Sequence, residues 1–165
     1  MGMQLIETIE VGSGGAASIE FTSIPQDGVD LLLKISCRAD NYTSDFLYVQ
    51  INGLTTGYNN VNLKGTGSSA SSGTRTNVSG FEVFYQGSST TSNTFGNGEI
   101  YLSNYTSSSG KSASFDHVWE QNATAADQFI VAGYHATTNP ITSIKLDALF
   151  TNFVQYSTAS LYTIS

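Results

Sequence analysis

Only a few side chains in this 165-residue chain have the types and spacing that could support chemistry, beginning with three carboxylates, Glu99, Asp116 and Glu120. A glycoside-cleaving pair needs two carboxyl groups within about 10 Å of each other. On an extended strand Asp116 and Glu120 share a face but stand roughly 13 Å apart, which suits neither glycosidase geometry. Trp119 beside them reads as the core residue of a half-buried strand before it reads as a sugar platform. His117 in "SFDHVWEQ" and His135 in "AGYHATT" fall outside HxxxH or HExxH spacing, so a zinc site would have to borrow its remaining ligands from elsewhere.

The other motifs fail on context. No serine sits in G-x-S-x-G, and "GSGG" is followed by neither GK[ST] nor a helix, so it reads as a turn. Asp40 and Asp45 in "DNYTSD" have oxygen ligands to offer calcium but lack EF-hand spacing and its closing glutamate. The single cysteine, Cys37, can form neither an internal disulfide nor a cysteine-based zinc site, and "LLLKISC" places it in a core. The expectation is a protein that is not an enzyme, with no catalytic, cofactor or metal residue assigned.

What elements hold these residues? Apolar and polar residues alternate almost everywhere with period two. "VDLLLKISCRA" puts Leu31, Leu33, Ile35 and Cys37 on one face, and "DFLYVQING" sets Leu47, Val49 and Ile51 opposite Phe46, Tyr48 and Gln50. "QLIETIEV", "ASIEF", "GFEVFYQ", "GEIYLSNY", "SASFDHVWEQ", "DQFIVAGYHA", "TSIKLDAL" and "TASLYTIS" read the same way, and no window carries a helical period. Asn52-Gly53 and Asn97-Gly98 are tight-turn candidates. The stretches "KGTGSSASSGTRTN" and "GSSTTSNTFGNG" read as long hydroxyl-rich loops that cross between sheets. This pattern predicts an all-β, jelly-roll-like antiparallel β-sandwich of about 8–10 strands. It predicts one domain over residues 1–165, with residues 1–15 as an N-terminal strand or arm against a neighbour.

Charged residues are only 12% of the chain, and the formal net charge is −7. The six basic residues are scattered from Lys34 to Lys145, which argues against nucleic acid and against an anionic membrane surface. Neither a signal peptide nor a membrane-spanning apolar stretch is visible, so the chain is expected to stay soluble where it is made or to leave inside something larger. Two groups of residues are candidates for contact with other molecules. Met3, Leu5, Ile6 and Ile9 precede a Gly-Ser hinge and are suited to pairing with a neighbouring sheet. Tyr42, Tyr58 and Tyr105 fall in expected loops or strand ends, where tyrosine anchors ligands or receptors at low entropic cost, or else caps the sandwich.

The ends of the chain carry a resemblance. "VGSGGAASIEFTSIPQDGVDLLLKISCRAD" resembles the opening of small tailed-phage virion proteins, and "ITSIKLDALFTNFVQYSTASLYTI" resembles their ending. Between these stretches the likeness is one of strand spacing and hydroxyl content. The resemblance implies a jelly-roll structural protein without cofactors, used as a capsid decoration (cement) protein or in a tail fibre. It implies the major capsid protein and further copies of itself as partners, commonly in a homotrimer, and a place on the virion after synthesis in the host cytoplasm. The chain has no room for a fibre's adaptor and shaft, which favours decoration over a short tail-fibre or receptor-binding subunit. A carbohydrate-binding, lectin-like module is the alternative from a different class.

Overall fold

A computed structural model describes residues 2–40, 46–84, 87, 90–121, 125–149 and 151–165. The described residues form twelve strands and no helix. In chain order these are β1 (Met3–Glu10), β2 (Ser18–Phe21), β3 (Asp30–Cys37), β4 (Phe46–Ile51), β5 (Tyr58–Gly65) and β6 (Ala70–Val78). They continue with β7 (Phe81–Phe84), β8 (Gly96–Leu102), β9 (Lys111–Gln121), β10 (Ala125–His135), β11 (Ile144–Asp147) and β12 (Thr158–Ile164).

The strands make two antiparallel sheets, one ordered β1-β12-β3-β8-β9-β10-β5-β6 and the other β2-β11-β4-β7. The jelly roll is visible in the pairings. β1 pairs with β12, β2 with β11, β3 with β8 and β4 with β7, as in one long antiparallel ribbon wrapped around a core. Two hairpins, β5–β6 and β9–β10, interrupt the ribbon and widen the larger sheet beyond β8. These insertions bring the count to twelve, above the expected 8–10.

Alternation explains the core. Leu31, Leu33, Ile35 and Cys37 of β3 point inward, as do Leu47, Val49 and Ile51 of β4 and Ala159 and Leu161 of β12. Burial pushes the Cys37 thiol up to about 12, so it is an inert core group. Beyond the centre, β7 crosses over β5, β9 and β10. Gly133 makes that crossing possible, because a Cβ there would lie 2.5 Å from Phe81 Cδ1.

The two Asn-Gly pairs have different fates. Asn52 and Gly53 both take positive φ, 52° and 68°, and Leu54 N donates to Ile51 O at 3.0 Å. This tight turn hands the chain from one sheet to the other. Asn97-Gly98 lies inside β8 and is no turn. Gly98 is needed there for closeness, since its Cβ would fall 2.4 Å from the Cβ of His117 on β9. The expected loop after Lys64 is also largely a strand, with β6 pairing to β5 from Ala70 to Val78.

Candidate interaction surface

The register of the larger sheet aligns outward side chains into rows. One row crosses all eight strands: Leu5, Tyr162, Leu32, Tyr101, Ser114, Ala132, Val61 and Thr74. Beside it run Ser160, Lys34, Glu99, Asp116, Ile130 and Leu63. Among the described residues, nine large apolar side chains are exposed, and seven of them, Met3, Leu5, Val61, Leu63, Tyr101, Ile130 and Tyr134, lie on this face. A shallow groove of about 360 Å³ runs between Leu32, Tyr101, Ser114 and Ile130.

Area gives this face its meaning. Burying a whole aliphatic side chain is worth about 1.5–3 kcal/mol at about 25 cal/mol per Å², or roughly 60–120 Å² each, and an aromatic covers about 150–250 Å². At about half exposure the seven side chains present roughly 400 Å² of apolar surface. That lies well within the range of the largest patch on a typical monomer, about 300–600 Å² and often functional. It also approaches the apolar share, near 57%, of the roughly 800 Å² that each partner loses in a standard interface. Charge on the face is partly cancelled internally, because Lys34 Nζ meets Glu99 Oε1 at 2.7 Å.

The residues singled out from sequence are distributed unevenly. Met3 and Leu5 point outward at the β1 edge and belong to the exposed face. Ile6 sits at a bulge in the β1–β12 register, and both Ile6 and Ile9 pack against the core rather than standing free. Tyr42 lies outside the described residues, as does Asp45 of the expected calcium loop. Tyr58 and Tyr105 are fully buried and are not contact residues. The Tyr58 hydroxyl accepts from Ile51 N at 2.8 Å and lies 3.2 Å from Leu54 O, which locks the Asn52-Gly53 turn, and burial raises its pKa to about 12. The Tyr105 hydroxyl donates to Pro25 O and accepts from Gly28 N at 3.2 Å.

The chemistry-bearing residues are also placed. Asp40 accepts from Thr151 Oγ1, Asn152 N and Asn152 Nδ2, and these bonds hold its carboxyl below the ordinary range. Glu99 and Asp116 are register neighbours on the open outer face. The Glu120 side chain lies outside the described ones. Trp119 and His117 point inward, with Trp119 5.0 Å and His117 5.1 Å from the Phe129 ring. Lys64 lies over the Trp119 ring and reaches Asp127 at 2.9 Å, so this cluster closes the inner face beyond β7. His135 lies 3.0 Å from Thr56 O through Nε2 and accepts from Thr137 N through Nδ1. No cluster of three metal-ligating side chains occurs among the described residues.

Sequence reasoning missed Val61, Leu63, Tyr101, Ile130 and Tyr134. Their signal was present as outward-facing apolar residues in alternating stretches, but without strand register their convergence on one face is invisible. No protein-family model, curated protein or solved structure matches the chain.

Proposed function

We propose that this chain is a non-enzymatic structural subunit of a tailed-phage virion, a capsid decoration protein that joins the assembled shell as a symmetric oligomer and stabilises it. The observation that carries the reading is the apolar outer face of the eight-stranded sheet. Patches of that size are often functional, and this one spans all eight strands of the sheet. The resemblance of both chain ends to small virion proteins supplies the biological setting: synthesis in the host cytoplasm, then display on the capsid exterior. The face reaches the β1 edge at Met3 and Leu5, so one continuous surface can serve copies of the chain and the coat protein. Modest contacts per copy suffice, because a trimer held at several points gains avidity.

Two measurements test it. Multi-angle light scattering on the purified chain at about 100 μM is expected to give a trimer, and the double variant Leu63→Lys/Ile130→Lys a folded monomer. A wild-type monomer at that concentration refutes self-association through the face. The copy number in purified particles, by quantitative mass spectrometry against the coat protein, is expected to approach the number of coat subunits. A handful of copies would move the protein to the tail, and absence would remove it from the virion.

A further inference from the structure

A second surface, separate from the sheet face, lies at the end of the sandwich where β3 finishes and β8 and β12 begin. It is a groove of about 320 Å³ lined by Arg38, Ser92, Asn93, Phe95, Val154, Gln155 and Tyr156. Two turns form its walls. In one, Thr94 N donates to Thr91 O and Asn93 takes φ of 61°. In the other, Ser157 N donates to Val154 O and Tyr156 takes φ of 71°. Positive φ at the third turn residue is the type II pattern, which favours Gly or Asn. Asn93 fits it, and Tyr156 does not.

One residue holds both walls. The Arg38 guanidinium donates to Thr90 O, Thr91 O and Thr94 O at 3.2, 2.9 and 2.9 Å. Its backbone carbonyl accepts from Val154 N at 2.9 Å and from Ser157 Oγ at 3.2 Å. The groove is therefore built in advance from the protein interior, with the Arg38 side chain turned to the loop that it anchors.

Tyr156 is the anomaly. It occupies a strained backbone conformation, yet its side chain is 62% exposed, the most of any large apolar residue described. Neither local conformation nor packing accounts for a tyrosine there. Strain retained without a packing return is a mark of a functional position. An exposed tyrosine that shares a groove with Ser92, Asn93 and Gln155 offers the apolar ring and the hydroxyl and amide groups that suit a pyranose, whose C–H face is apolar and whose rim carries hydroxyls. We propose that this groove is a binding site for a neutral carbohydrate, with Tyr156 as the stacking platform. The site is independent of the assembly reading and stands or falls without it.

The test is a printed array of neutral and sialylated oligosaccharides, followed by NMR titration of the strongest neutral binder. Wild type is expected to bind, with amide shifts confined to residues 38, 92–95 and 154–157. Tyr156→Gly is expected to weaken binding at least about tenfold, as the loss of one anchoring aromatic does. The same variant is expected to melt about 2 °C higher, because Gly removes the strain. Tyr156→Phe is expected to bind within about threefold of wild type, since it keeps the ring. Binding restricted to sialylated ligands, no binding at all, or unchanged binding in Tyr156→Gly would each overturn the proposal. So would a lower melting temperature in Tyr156→Gly, which would give the ring a structural reason to be there.

Discussion

Protonation of His117 is expected to destabilise this protein from within. His117 is 2% exposed, stacked 3° from coplanar on Phe129, and burial lowers its pKa from 6.5 to about 4. In the unfolded chain the imidazole takes up a proton near its ordinary value, whereas in the folded chain it resists. Well above pH 6.5 both states are neutral and pH has no leverage through this group. As pH falls below 6.5 the unfolded state gains, at about 1.4 kcal/mol per unit, until the folded pKa is reached. The loss between pH 7 and pH 5 is about 2 kcal/mol, and the full loss about 3 kcal/mol. Buried Glu82 works in the opposite direction: burial raises its pKa, so the folded state gains as pH falls through that value. A comparison with variants removes such background. Urea unfolding of wild type, His117→Gln and His117→Phe at pH 7, 6 and 5 should show the stability difference between wild type and each variant shifting by about 2 kcal/mol against wild type. A difference that stays constant with pH would refute the reasoning.

Two further outcomes follow from close contacts. Gly98→Ala places a Cβ against β9 and should cost about 1–3 kcal/mol in chemical denaturation, whereas Asn97→Ala, on the outer face of the same strand, should stay within about 0.5 kcal/mol. The reverse order would restore the turn reading of this dipeptide. Arg38→Met leaves the carbonyls of Thr90, Thr91 and Thr94 without their buried donor. It should cost about 2–4 kcal/mol and speed amide hydrogen exchange across residues 90–95, while residues 154–157, held by the Arg38 backbone carbonyl, stay protected.

The strands that wrap the core were readable because each has one wet face and one dry face. Leu31 to Cys37 and Leu47 to Ile51 declare their partners by alternation alone. β6 was not readable for the opposite reason. It is an edge strand whose residues are nearly all exposed, so its hydroxyls carry no period and only pairing with β5 makes it a strand. Asn97-Gly98 deceived because a dipeptide cannot distinguish a glycine needed for positive φ from one needed for close approach. Tyr58 and Tyr105 were misplaced because their hydroxyl partners come from across a turn or from 77 to 80 residues away in the chain. The outer face required register, which is a property of eight strands together. Tyr156 required a dihedral angle, which no residue type announces.

The pairing of β1 with β12 has a consequence in time. Among the described residues β1 has no other neighbour in its sheet, and its first bonded partners are Ile164 and its flanking residues. On the ribosome, β1 must therefore wait until the ten strands after it and then β12 have been made before it finds its place. Closing so long a loop is among the slowest contacts a fold of this size can make. During that interval Ile6 and Ile9 lack the core they pack against in the finished fold. Folding should then be fast for the central strands and limited at the end by the docking of β1.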